Sequence, residues 1–402
     1  MKATLAALLA VLPLLAAAGS RNATAGRSDE SVFVNGLKPG QHESLLYVWT
    51  SDPDAKDPDF LSVIDANPAS PTYGKVIATA PTTGSTGNEA HHFGYTADAD
   101  RIFAGGLFTN RLFIYDVKTD PRKPKLITTV ADLAATTGYS GPHTFYAVPG
   151  GVMIAMLGGK DGGAPGGLVT LDNDGKFVKA LAAPEYMYDV GVKRELNLMI
   201  SSSWAHPHSI IHGMAPMSEV GDEVVAWDFA TGKVLQEAHL DKAPLEIRWL
   251  HAGTARGGFV NCAFGNSVWH WEVKDGKLDF AKVLQLPDGS IPADMRISYD
   301  DKFLFVSLFG AGAVNQYDIS NPVKPTLVST VAVPQAQMMK LTPDNQRLYI
   351  SNSLLSNLDG KVPYRVRLIN VGPKGMALDP KFDVDFENLP TGQARPHDML
   401  LK

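Results

Sequence analysis

The chain has 402 residues and is 45% hydrophobic, enough to bury a large core. Its net charge is −6 and no basic run stands out, which argues against a nucleic-acid partner. The single cysteine, Cys262, excludes an intrachain disulfide, while Gly 37 and Pro 27 suit many short strands joined by turns.

Taken in order, the chain starts with an export pattern. Lys2 is the charged start, Thr4 to Leu15 is apolar, and Ala16-Ala17-Ala18 offers a small-residue cleavage site. The apolar run is shorter than the ~20 residues a spanning helix needs. Residues 1–18 are therefore expected to be a signal peptide, with no membrane span in the mature chain and the periplasm as destination. Residues 19–43 are polar and read as a flexible leader. Residues 44–402 are expected to form one domain.

That domain opens with three strand-like runs, Ser44 to Trp49, Phe60 to Asp65 and Lys75 to Thr79. They have no strand before them to begin a sheet. From His91 on, units of roughly 45–50 residues follow one course, the period of propeller blades. Each has an inner strand, a second strand, a third ending in an aromatic–acid pair, and an outer strand. Tyr115-Asp116, Trp227-Asp228, Trp271-Glu272 and Tyr317-Asp318 mark the third strand. Units start near His91, His143, Asp189, Arg248, Asp294 and Met338. Arg395 to Leu401 reads as a seventh inner strand, which the three orphan strands would complete. Pairing the two ends removes a sheet edge, so the expected fold is all-β, a seven-bladed β-propeller closed by its termini. Residues 205–222 are a long insertion in the third unit, expected to hold a short helix or a lid.

Inner-strand starts converge on the axis of such a ring, and histidines recur there. In this register His92, Asp294 and Met338 are equivalent, and His143 and His397 are assigned to the same position. His91 precedes His92, and neighbours on a regular strand face opposite ways. Both can meet one ion only if the strand start is irregular. Imidazoles converging on an axis suit copper, zinc or iron; the alternative is a set of polar groups bonded around a water-filled channel. His251 lies a few residues past the ligand position and is a candidate for the pocket. Asp189 and Asp294 are read as partners that orient imidazoles or as loop caps, and Arg248 and Arg296 as groups that balance them or hold an anion. His206 and His208 flank a proline and read as lid or channel residues. Cys262 sits in an apolar strand and reads as a buried, inert thiol.

Several ordered blocks resemble the selenium-binding protein / methanethiol oxidase family. They include His91-His92, Gly166 to Asp172, Leu198 to Ala205, Glu246 to His251 with Gly258 to Ala263, Ser298 to Leu304, Gln316 to Ser320 and Arg347 to Ser351. The resemblance covers most of the mature chain. It implies an exported propeller oxidoreductase that uses copper to convert methanethiol, dioxygen and water to formaldehyde, hydrogen sulfide and hydrogen peroxide. The family's paired histidines carry over to His91 and His92, the next to His143, and His251 also matches; His397 is the C-terminal candidate. Where the family has its selenium-associated cysteine this chain has Gly74, so selenium binding through cysteine is not expected; separately, Ser203 replaces the acidic residue usual before the family's Trp. The expectation is a copper-dependent oxidase of a small thiol. Its metal ligands would be His91, His92, His143 and His397, and His92 and His251 its catalytic candidates. Asp189, Arg248, Asp294 and Arg296 would lie around the pocket. Iron or zinc is the less favoured metal. A different propeller oxidase or dioxygenase, or a non-catalytic metal carrier, is the alternative. The sequence sets no oligomeric state.

Overall fold

Short strands with apolar residues on both faces are stable only when both faces of each sheet are covered and no long edge is left open. The computed structural model describes Leu37 and residues 42–402 and shows how the chain meets both demands. The export segment and most of the leader lie outside the described residues. Two residues of the expected leader are nevertheless buried: Leu37 joins a core cluster, and Glu43 accepts a 2.7 Å hydrogen bond from the Tyr349 hydroxyl.

Seven four-stranded antiparallel sheets form the blades of a propeller. Numbered from the first complete unit, their inner strands are Ala90–Tyr95, Tyr139–Val148, Val190–Lys193, Pro244–Trp249, Pro292–Ile297 and Met339–Leu341. Blade 7 is built from both ends of the chain, in the order Arg395–Leu401, Leu45–Ser51, Phe60–Asp65, Val76–Pro81. The C-terminal strand supplies its inner edge and pairs Leu46 with Leu401 and Thr50 with Pro396. Seven blades are therefore closed by strand pairing between the termini, as the repeat count predicts.

The core lies between consecutive blades rather than at one centre. Tyr47, Trp49 and Leu61 of blade 7 pack with Phe93, Tyr95 and Ile102 of blade 1. Ile200 and Ala226 of blade 3 pack with Ile247, Trp249 and Val260 of blade 4. Each large side chain buried in this way stabilises by about 1.5–3 kcal/mol. Buried aromatic donors still need acceptors, and the Trp49 indole donates to the Gly105 carbonyl at 2.9 Å.

The third blade's insertion holds an α-helix, Pro207–Ile210, and a 3-10 turn, Met217–Glu219. It packs over one end of the propeller axis. Trp204, Ala205, Ile210, Ala215 and Val220 cluster there with Leu107, Leu245 and Leu355 from other blades. No helix of the described residues is long and apolar enough to cross a membrane.

Candidate metal centre

The irregularity that two adjacent inward histidines require is present, and it is repeated. In blade 1, Ala90 pairs with Gly106 and Phe93 with Ala104. Three steps on the inner strand therefore match two on its neighbour, and His91 and His92 form the bulge. A bulge turns successive side chains away from strict alternation. The same break lies between Pro142 and Phe145, Pro244 and Ile247, Pro292 and Met295, and Pro396 and Met399.

These registers correct one expectation. His143 and His397 occupy the position of His91, not that of His92. The position of His92 is filled by Thr144 in blade 2, Glu246 in blade 4, Asp294 in blade 5 and Asp398 in blade 7. Blade 4 starts at Pro244, so Arg248 sits two residues further along its strand than its expected place.

The ring nonetheless brings the four expected ligands together. All four imidazoles are buried. Ring centroids are 4.5 Å apart for His91 and His92, 4.1 Å for His92 and His143, and 5.0 Å for His91 and His143. His397 stacks on His91 at 3.9 Å and lies 5.2 Å from His92. Ligand nitrogens of His91, His92 and His143 all fall within 4.8 Å of one another.

One nitrogen on each ring has no hydrogen-bond partner: His91 Nδ1, His92 Nε2, His143 Nε2 and His397 Nε2. Leaving a buried polar atom unpaired costs about 1–3 kcal/mol, so four in one place mark a donor set that suits a metal ion. On three rings the other nitrogen is engaged. His397 Nδ1 donates to the Ser353 carbonyl at 2.8 Å, and His143 Nδ1 lies 3.3 Å from the Thr144 hydroxyl. His92 Nδ1 lies 3.2 Å from Asp398 Oδ2. Such partners fix the tautomer and aim the free nitrogen. Burial pushes His91, His143 and His397 well below the ordinary imidazole pKa, and the neighbouring rings add to the effect. Neutral imidazole is the form that binds metal.

The expected pocket residues divide. Asp189 reaches His143 indirectly: its Oδ1 accepts from the Thr144 hydroxyl at 2.8 Å, and its Oδ2 accepts from Ile247 N of blade 4. Asp294 has no imidazole among its hydrogen-bond partners. It binds the Arg248 and Arg296 guanidinium groups and accepts from Met339 N of blade 6 at 2.7 Å. Arg248 also pairs with Asp189 and Glu246, so both arginines balance carboxylates rather than wait for an anion. Each also ties its strand to the next blade, Arg248 Nε through Met295 O and Arg296 Nε through Met339 O. His251 is not with the other histidines. It follows the far end of the blade 4 inner strand, where Asp301 accepts from its backbone N and lies 3.1 Å from its Nδ1.

Asp398, Thr144, Ser353 and Lys340 were not foreseen. Burial disfavours ionisation of Asp398, but Lys340, His92 and Arg296 outweigh it and hold the carboxyl far below the usual range. Burial brings Lys340 down to about 8. An axial cavity of about 80 Å³ adjoins His92 and is lined by Asp189, Arg248, Arg296, Lys340 and Asp398. The other end of the axis carries the apolar cap. There Tyr188 lies 3.9 Å from the His143 ring and packs on Trp204.

Cys262 is fully buried, and burial pushes its thiol up. Gly74 has φ +71°, a left-handed backbone that strains any other residue. Neither position offers a reactive thiol.

A methanethiol oxidase of a Hyphomicrobium species is 33% identical over 386 residues, spanning 90% of this chain and 88% of that one. A methanethiol oxidase of Ruegeria pomeroyi is 32% identical, spanning 88% of each. The mouse selenium-binding protein 2 is 28% identical over 90% of this chain and 93% of its own. Among solved structures, a hypothetical selenium-binding protein from Sulfolobus tokodaii superposes with a TM-score of 0.84 at 28% identity, covering 93% of this chain and 97% of that one. A periplasmic gluconolactonase from Pseudomonas aeruginosa shares the fold alone, with a TM-score of 0.63 at 13% identity over 88% of this chain and 98% of its own. The model of the 56 kDa selenium-binding protein family matches residues 35–402, and the chain belongs to that family.

Proposed function

We propose that this protein is a periplasmic, copper-dependent oxidase of a small thiol, with methanethiol as its substrate. The observation that carries the reading is the set of four unpartnered nitrogens on His91, His92, His143 and His397. Its support also includes the relatives named methanethiol oxidase. The export reading rests on the pattern of residues 1–18.

The four imidazoles would hold copper, which suits nitrogen and sulfur donors and supplies one-electron chemistry toward dioxygen when bound. Methanethiol and water yield formaldehyde, hydrogen sulfide, two protons and two electrons; dioxygen takes up both as hydrogen peroxide. The carbon–sulfur bond and one methyl carbon–hydrogen bond break, and the carbon–oxygen double bond of formaldehyde forms. The chain's own contribution is placement and shielding. Asp398, Thr144 and Ser353 aim three of the rings. Tyr188, Trp204, Leu245 and Leu355 make the cap apolar, which favours a small uncharged thiol and keeps bulk water away. The cavity beside His92, where Asp189, Arg248, Arg296, Lys340 and Asp398 place charged groups, would admit water to the rings from that side.

An oxygen electrode tests the reading. The copper-loaded protein should consume oxygen on addition of methanethiol, and His92→Ala should lose more of that rate than the about 10–100-fold that loss of a ligand's outer partner costs. No oxygen uptake by the loaded protein with any small thiol would leave a metal carrier. Uptake unchanged in His92→Ala would remove the centre from the chemistry.

A further inference from the structure

We propose that Asp398 and Lys340 are a positioning pair for His92: an inter-blade carboxylate staple whose free oxygen is turned onto an imidazole. The pair deepens the metal-centre reading and rests on it.

The argument comes from comparing equivalent positions around the ring. Asp189, Asp294 and Asp398 stand at equivalent places near the starts of their inner strands, each one residue before an apolar strand residue, Val190, Met295 and Met399. Asp189 Oδ2 accepts from Ile247 N in the next blade at 2.8 Å, and Asp294 Oδ2 accepts from Met339 N in the next blade at 2.7 Å. Asp398 breaks the pattern at Oδ2 alone. Its Oδ1 accepts from its own neighbour Met399 N at 2.7 Å, as Asp294 Oδ1 does from Met295 N, but its Oδ2 faces the His92 ring of the next blade at 3.2 Å.

The cations follow the same logic. Arg248, Arg296 and Lys340 stand two residues beyond the equivalent positions Glu246, Asp294 and Met338 in blades 4, 5 and 6, on the same face of their strands. The two arginines bind the staples at Asp189 and Asp294. Lys340 Nζ lies 3.9 Å from Asp398 Oδ1. Both Lys340 and Asp398 are buried.

The consequence is specific to one ring. The Nδ1 partners of His143 and His397 are a hydroxyl and a carbonyl, both neutral. His92 alone among the four faces a carboxylate. A carboxylate holds the proton on Nδ1, leaves the lone pair on Nε2 and makes that nitrogen a stronger donor. Lys340 keeps the carboxylate charged in a buried place. His92 is thereby the firmest ligand of the set.

Two readouts test the pair. Copper(I) and zinc affinities are measured by chelator competition on the full chain, and the His92 tautomer is read by ¹⁵N NMR of the metal-free, histidine-labelled protein. Asp398→Asn should weaken metal binding by about 10–100-fold, and Lys340→Met by about 10-fold, the range for outer partners of metal-bound histidine. Lys340→Arg should restore affinity to within about 3-fold of wild type, which a purely packing role would not predict. His92 should show the Nδ1–H form in wild type and a mixture in Asp398→Asn. If Asp398→Asn does not fold, Lys340→Met decides by both readouts. Wild-type protein that binds neither metal overturns the oxidase reading, and the tautomer then judges the pair alone. Normal metal binding that both substitutions leave unchanged, or a mixed His92 tautomer in wild type, overturns the pair.

Discussion

His397 shows how much one side chain does at this site. It stacks on His91, its Nδ1 is held by the Ser353 carbonyl, and its Nε2 faces the other rings without a partner. Replacing it with alanine should lower metal occupancy well below one per chain after dialysis, as measured by elemental analysis, because the ion loses one of four donors. Protons report on the same residues. In the folded metal-free protein, burial keeps His143 neutral well below the ordinary imidazole pKa of ~6.5. The unfolded chain takes up that proton as pH falls through ~6.5, and the folded chain does not. The contribution of His143 to stability is thus intact above ~6.5 and is lost as pH drops toward its folded value. Each such ring costs about 1.4 kcal/mol per pH unit in that window. His143→Gln should therefore flatten the fall in stability between pH 6.5 and 5 by about that slope, measured by urea unfolding of metal-free protein. Asp59 and Asp359, raised to about 6 by burial, contribute with the opposite sign in both proteins and cancel in the difference.

The element that makes the site is the bulge at the start of the inner strand. Its signature was present in the sequence as four-residue words: Ala90-His91-His92-Phe93, Pro142-His143-Thr144-Phe145, Pro244-Leu245-Glu246-Ile247, Pro292-Ala293-Asp294-Met295 and Pro396-His397-Asp398-Met399. Aligned on that word, His143 and His397 fall beside His91 with no deletion, and Asp398 falls beside His92. The Ser353 carbonyl had no such signal, since any residue carries a backbone oxygen. His251 followed from a motif match, and only the strand's length shows that it lies past the other end. Packing of inner strands near the axis is equally tight. A Cβ on Gly94 would meet Phe145 Cβ at 2.7 Å. Gly94→Ala should cost about 1–3 kcal/mol, the usual penalty for overpacking, seen as a lower melting temperature. The cap is tied to a loop of blade 6, where Asn357 donates to the Ile210 carbonyl at 2.8 Å, and Ser356 in that loop donates to Glu89 of blade 1. Asn357→Ala removes a bond worth about 1 kcal/mol. Amide exchange in residues 207–213 should quicken while the blades stay protected.

At the scale of the whole molecule, ring closure and the metal site are one event. His92 and Asp398 are 306 positions apart and meet because the C-terminal strand lies between blades 6 and 1. The count of seven was legible because the orphan strands at one end and the orphan strand at the other need each other. A chain stopped at Ala394 would expose the inner edge of Leu45–Ser51 and lose His397 with it; it should show no cooperative melting by calorimetry. The most direct test of the central claim is anomalous diffraction at the copper edge from crystals of the copper-loaded protein. The account predicts one peak among His91 Nδ1 and the Nε2 atoms of His92, His143 and His397. No peak there, or copper bound only elsewhere on the propeller, would contradict it.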